Sequence, residues 1–315
     1  VALAAARACS GCLHFPESEL RTRTSLLARE RETAARLLEA TAREEHIPLH
    51  NRLRSSRATP ATLGLPPDTL ACVFDLDGVL TGSAAIHVAA WAETLDEFLS
   101  SRVEETGERF APFQPFDRRN DYYRYIQGKP RLEGIHAFLA SRGIRIAAGH
   151  PDDPAGSETI YGLANRKNEA FLRYLDQEGV TAFAGSQSYL EDAHEAGLRC
   201  VVVSPSTNTA AILEQSGLAP LVDERIDGNA IRVENLRSKP EPDTLLAACR
   251  RLGVDPQRAV AFETTFEGVA AARTARFGYV VGVDRRGRVE LRPPHGANRV
   301  VPDLAALLPG GAVSS

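Results

Sequence analysis

The chain has 315 residues, 43% of them hydrophobic and 25% charged, with a formal net charge of −4. That make-up belongs to a folded globular protein rather than a disordered one, and the length allows two domains or one domain with a large insertion. The acidic balance offers no basic face for a nucleic-acid backbone, and no apolar run is long enough to cross a bilayer.

The first eight residues, VALAAARA, are apolar, but Cys9, Ser10, Gly11 and Cys12 follow at once. This is too short for a secretory signal, so a cytoplasmic address is expected. Methionine is absent even at position 1, which suggests that Val1 is not a translated start as written. Five cysteines, an odd number, do not form a disulfide framework. Cys72 and Cys200 sit in apolar runs and read as small core residues. Cys9 and Cys12, with His14 close behind and His46 and His50 further on, are zinc-type ligands at a spacing longer than finger-like sites use. Free thiols are the favoured reading there. Over residues 20–45, Leu26, Leu27, Leu37 and Leu38 recur at helical spacing among charges, which predicts an amphipathic helix. Such a helix packs on the main domain, docks a protein partner or self-associates. SSRATPATLGLPP (55–67) reads as a linker, so residues 1–66 form a helical extension and its tether.

LACVF (70–74) is a short unbroken apolar run, the pattern of a strand buried on both faces of a parallel sheet. CVVV (200–203), AVAF (259–262) and YVVGV (279–283) repeat it, and helical stretches follow at 209–216, 242–252 and 267–275. Strands alternating with helices predict an α/β fold with a doubly wound, Rossmann-like parallel sheet. Residues 88–185 break that rhythm and are helical in pattern, so they are expected as an inserted helical cap. Residues 67–87 and 186–310 then make the core.

Ligands of an open parallel sheet bind beyond the carboxyl ends of its strands. Asp75 and Asp77 follow the first run, Ser204 the second and Glu263 the third, and Lys239 precedes the helix at 242. An acidic residue after a strand is usually a turn residue or helix cap. Two aspartates, a hydroxyl, a lysine and a further carboxylate together make a site for a phosphoryl group and a divalent cation. Ser204 lacks the context of a nucleophile elbow, which argues against a serine hydrolase.

FDLDGVLT, VVSPSTN, SKPEPD and FETTFEGVAAA, in that order, resemble the four motifs of the haloacid dehalogenase superfamily. IHVAAW after the first motif, with YIQGKPRLEGI and NRKNEAF, is similar to the beta-phosphoglucomutase-like branch with a helical cap. The resemblance covers about residues 68–305. It implies Asp75 as the nucleophile that becomes an aspartyl-phosphate and Asp77 as general acid and base. Ser204 and Lys239 would hold the transferring phosphoryl oxygens. Mg2+ would be bound by Asp75, the main chain of Asp77 and Glu263. Arg131, Ser206 and Asn208 would recognise the rest of the substrate, and His87 and Trp91 belong to the same branch pattern. The implied activity is that of a Mg2+-dependent phosphatase or phosphomutase on a small phosphorylated sugar.

Three departures stand out, the least of them Gly82, where the branch usually has an acidic or similar polar residue. Where the family has an acidic pair, this chain has Glu263 and Thr264, and a hydroxyl is a weaker ligand for a hard dication than a carboxylate. Thr207 stands where the mutases carry a lysine, which tilts the expectation from mutase toward phosphatase. The alternative reading is a binding or regulatory protein on the same scaffold, with an impaired metal site and a partner-docking N-terminal helix.

Overall fold

Alternation along four apolar runs decides the architecture. In the computed structural model, which describes residues 58–106, 114–285, 287, 291 and 296–310, those runs are β1 (Ala71–Asp75), β2 (Arg199–Val203), β4 (Ala259–Glu263) and β5 (Tyr279–Val283). Successive side chains of a strand point to opposite faces. Cys72, Phe74, Cys200, Val202, Val260 and Phe262 accordingly enter one hydrophobic cluster. Ala71, Val73, Val201, Val203, Ala259 and Ala261 enter another on the opposite face. Both faces are covered, which is why the runs are apolar throughout.

Two further strands, β3 (Glu224–Ile226) and β6 (Arg299–Val301), close the edges of a parallel six-stranded sheet of order β3-β2-β1-β4-β5-β6. They are three residues each and carry Glu224, Arg225 and Arg299, so no apolar run announces them. The chain winds outward from β1 in both directions. The carboxyl end of β1 is therefore the switch point where an open α/β sheet leaves a crevice.

Helix α1 (Ala84–Thr106) follows β1, and α2 (Arg131–Ser141), α3 (Ile160–Glu178) and α4 (Ala184–Glu195) precede β2. Trp91, Leu95 and Phe98 of α1 meet Ile135 and Phe138 of α2 and Leu163 of α3 in a third cluster. The far half of α3, with Ala170, Phe171 and Leu175, joins the cluster on the sheet. One helix thus belongs to both cores. Helices α1 and α4 run unbroken through 87–88 and 185–186, where the expected cap boundaries fall. Helices α5 (Thr209–Gln215), α6 (Gly228–Val233), α7 (Asp243–Leu252) and α8 (Phe266–Thr274) complete the crossovers.

The linker reading needs correction within residues 58–66. Ala61–Leu63 form a 3-10 turn ended by Gly64 at φ 70, and Leu63 and Leu65 are buried in the sheet cluster. Tyr189 donates to the Leu63 carbonyl at 3.2 Å. The Pro and Gly signals of this stretch mark a tight turn, and its two leucines bury enough apolar surface to hold it down. Cys72 and Cys200 are buried free thiols, as is Cys249. The amphipathic helix expected at 20–45, the Cys9–Cys12 pair with His14, His46 and His50, and the docking surface proposed there all lie outside the described residues. Among the described residues, no helix is long and apolar enough to cross a membrane.

Candidate active site

Strand pairing brings the chemistry together. Asp75 ends β1 opposite Val203 of β2, so Ser204 follows on the adjacent strand at the same level. Phe74 lies opposite Phe262 of β4, which sets Glu263 beside Asp75. Lys239 enters from the loop before α7. Its Nζ lies 2.7 Å from Glu263 Oε2 and 3.4 Å from Asp75 Oδ1. The other Asp75 oxygen, Oδ2, accepts from Thr264 Oγ1 at 3.0 Å, and that hydroxyl is 3.5 Å from the Asp77 carbonyl. Both oxygens of Asp75 are therefore held.

After Asp75 the chain turns sharply, with Gly78 at φ 89 and its N–H donating to the Thr81 carbonyl at 2.9 Å. That turn delivers Ser83, whose hydroxyl donates to Asp77 Oδ1, and Thr81 Oγ1 lies 2.7 Å from Ser83 Oγ. On the β2 side the Ser204 hydroxyl is fully buried and accepts from the Ser206 N–H at 3.2 Å. Ser206 Oγ in turn accepts from the Asn208 N–H at 3.2 Å.

The helical layer supplies the opposite wall. Asp77, His87, Trp91, Arg131, Lys167, Ser206 and Thr207 line a cavity of about 60 Å³. A larger cleft of about 780 Å³, reaching Thr81, Arg119, Tyr123, Thr264 and Arg285, opens on Asp77 as well. A further cavity around Asp223 and Arg251 holds none of the sequence-derived site residues. Arg131 donates to the Ala164 carbonyl at 3.1 Å, to Asn168 Oδ1 at 2.8 Å and to Thr207 Oγ1 at 2.7 Å. Asn208 Nδ2 donates to the same Asn168 oxygen at 3.0 Å. Two polar links thus tie helices α2 and α3 to the loop after β2.

Lys167 and Asn168 were given no role by the sequence. Lys167 is 3% exposed, with its Nζ 2.8 Å from His87 Nδ1 and 4.6 Å from the centre of the Phe171 ring. Leu163, Lys167 and Phe171 recur every four residues on one apolar face of α3. A lysine in the middle of such a face is the signal that was readable. His87 Nε2 faces Asp77 Oδ2 at 3.8 Å and, among the described residues, has no hydrogen-bond partner. Glu267, one helical turn past Glu263, is exposed in the first turn of α8.

Burial and charge set the protonation of these groups. Burial raises Asp77 to about 6; the Ser83 hydrogen bond opposes this, and the neighbouring Asp75 adds to it. Burial works against the charge of Lys239, but Asp75 and Glu263 outweigh it and hold the ammonium above its usual range. Burial also raises Glu263, with Lys239 pulling the other way. His87 is depressed by burial and then by Lys167 and Arg131, and Lys167 is depressed by burial and by Arg131. The His87–Lys167 pair therefore tends to neutrality while Lys239 stays charged.

The raised Asp77 has a consequence for stability. Its folded form holds a proton up to about pH 6, whereas an ordinary aspartate loses it near 3.8. Between those values the folded state binds more protons than the unfolded one, so stability falls as pH rises. In metal-free protein, the stability of wild type relative to Asp77→Asn should decline from about pH 4 to about pH 6 and then level off. Urea unfolding midpoints for the two proteins across that range check it.

Glu263 is packed as tightly as it is paired. A Cβ on Gly268 would lie 2.0 Å from Glu263 Oε2. Gly268→Ala should push the carboxylate off Lys239 and lower stability by about 1–3 kcal/mol, read by urea unfolding.

The oxygens that Lys239 leaves free are Asp75 Oδ2 and Glu263 Oε1, and the Asp77 carbonyl lies 3.5 Å from the Thr264 hydroxyl that holds Asp75 Oδ2. Glu263 Oε1 is buried, and among the described residues nothing hydrogen-bonds to it. Two carboxylate oxygens, one of them buried and unpartnered, with a carbonyl and a hydroxyl nearby, fit a hard dication.

A family model for haloacid dehalogenase-like hydrolases matches residues 69–276. The chain belongs to that family. A beta-phosphoglucomutase of Mycobacterium bovis is 48% identical over 250 residues, covering 78% of this chain and 94% of that protein. A beta-phosphoglucomutase of Bacillus subtilis is 26% identical over 231 residues, covering 73% and 88%. The crystal structure of a beta-phosphoglucomutase from Clostridium difficile matches with a TM-score of 0.57 at 24% identity, over 74% of this chain and 90% of that one, and supports the fold. Within the family, the chain falls in the beta-phosphoglucomutase-like branch with a helical cap.

Proposed function

We propose that this protein is a Mg2+-dependent phosphatase or phosphomutase acting on a small phosphorylated sugar through an aspartyl-phosphate on Asp75. The observation that carries this reading is the Asp75 carboxylate fixed at the sheet's switch point, with Lys239 on one oxygen and Thr264 on the other. The names of the Mycobacterium bovis and Bacillus subtilis relatives support a sugar phosphate as substrate.

In this reading an Asp75 oxygen attacks phosphorus, the P–O bond to the sugar breaks, and the leaving oxygen takes a proton from Asp77. Water or a sugar hydroxyl then gives its proton to Asp77 and attacks the phosphoaspartate, returning free Asp75. A carboxyl group with a pKa of about 6 serves in both directions near neutral pH. Lys239 and Ser204 hold the phosphoryl oxygens, and the charge of Lys239 stabilises what develops on them. Asp75, the Asp77 carbonyl and Glu263 would hold Mg2+, which when bound supplies further neutralisation of the transferring group. Residues 88–185 act as a cap that excludes water, its closed position maintained by Arg131–Thr207 and Asn168–Asn208. With threonine rather than lysine at 207, that position supplies no second cation beside Arg131, and phosphatase is favoured over mutase.

A panel of sugar phosphates with and without Mg2+ tests the reading. Mg2+-dependent phosphate release or isomerisation is expected, and silence across the panel at excess Mg2+ would overturn it. Arg131 also makes a separate prediction. Arg131→Ala should raise KM about tenfold or more for a sugar carrying a second anionic group, with kcat changed much less. Steady-state kinetics on paired mono- and bisphosphorylated sugars reads that split.

A further inference from the structure

The position that departs from the family is engaged with the site itself. Thr264 Oγ1 donates to Asp75 Oδ2 at 3.0 Å and lies 3.5 Å from the Asp77 carbonyl, so it touches two of the oxygens offered to a cation. Its methyl side is fixed as well: a Cβ on Gly78 would lie 3.1 Å from Thr264 Cγ2, so the side chain stands against the turn after Asp77. Exposed Glu267 supplies no substitute carboxylate. Lys239 adds a positive charge against Asp75 and Glu263, the two carboxylates it pairs with. A dication entering this set meets one ammonium and two carboxylates, fewer negative charges than it needs for neutrality.

We infer that Thr264 makes cation and phosphoryl group bind as a pair: the free protein holds Mg2+ weakly, and the phosphoryl oxygens supply the anionic ligand that Thr264 does not. The inference rests on the phosphoryl-transfer reading and deepens it. Metal affinity rises with the number of charged oxygen ligands, so the missing carboxylate matters most when phosphate is absent. Thermodynamic linkage makes the effect mutual. The factor by which phosphate tightens Mg2+ equals the factor by which Mg2+ tightens phosphate.

Calorimetric titration of Mg2+, with and without saturating inorganic phosphate, tests this on wild type, Thr264→Asp and Thr264→Val. In wild type, phosphate should tighten Mg2+ tenfold or more. Thr264→Asp should bind Mg2+ alone at least tenfold more tightly than wild type, with a smaller gain from phosphate. Thr264→Val, close in shape and equally uncharged, should keep the strong coupling. Phosphate leaving wild-type Mg2+ affinity unchanged would overturn the inference, as would equal Mg2+ affinities for wild type and Thr264→Asp without phosphate. If Thr264→Asp does not fold by circular dichroism, the wild-type coupling factor alone decides. Turnover of sugar phosphates at excess Mg2+ is measured in parallel. An active enzyme without coupling sinks only this inference, whereas no turnover together with no binding of either ion sinks the catalytic reading as well.

Discussion

Asp75→Asn is expected to lower kcat on the best sugar phosphate by about 10⁴-fold or more, while the protein stays folded. The amide matches the carboxylate in shape and can still accept from Thr264, but it has no anionic oxygen to attack phosphorus. Residual activity within tenfold of wild type would move the nucleophile elsewhere. Circular dichroism and a urea melt on the variant separate lost chemistry from lost structure. Because Lys239 keeps Glu263 at 2.7 Å, the ion pair that anchors the loop survives the substitution.

The second large effect concerns stability. Glu263 is fully buried, and Lys239 has a side-chain exposure of 7%, so each depends on the other for compensation. Lys239→Met leaves Glu263 and Asp75 side by side without a counter-charge. Removing one partner of a buried pair costs about 3–5 kcal/mol. The double variant Lys239→Met/Glu263→Gln removes the stranded charge and should recover most of that loss. Chemical denaturation of the single and double variants measures the coupling. A single variant within about 1 kcal/mol of wild type, or no recovery in the double, would contradict the pairing.

How legible these features were follows from where each residue gets its partners. Strands β1, β2, β4 and β5 could be read because burial on both faces leaves an unbroken apolar run, as at Cys200–Val203. Edge strands β3 and β6 could not, since charged Glu224, Arg225 and Arg299 interrupt them and three residues carry no period. Asp75, Ser204 and Glu263 could be grouped from the sequence because a parallel sheet delivers its strand ends to one place. The cap wall was harder. Lys167 has its partner, His87, on a different helix, so its spacing within α3 does not reveal the pair. Arg131 was singled out, but its grip on Asn168 and Thr207 depends on tertiary packing that spacing does not encode. Leu63 and Leu65 were lost inside a Pro- and Gly-rich stretch whose turn chemistry looks the same in a linker and in a docked turn. Thr264 was noticed as a missing charge, whereas its hydrogen bond to Asp75 is a fact of three dimensions.

The proposed reaction turns on phosphorus passing through the carboxylate of Asp75, and reductive trapping addresses that step directly. An acyl phosphate is reduced by borohydride where a free carboxylate is not, which converts the phosphorylated aspartate to homoserine. Wild-type protein quenched during turnover of a sugar phosphate, reduced and digested, should yield homoserine at position 75 by peptide mass spectrometry, and none without substrate. Product formation with Asp75 unmodified, or homoserine at another aspartate, would contradict the account.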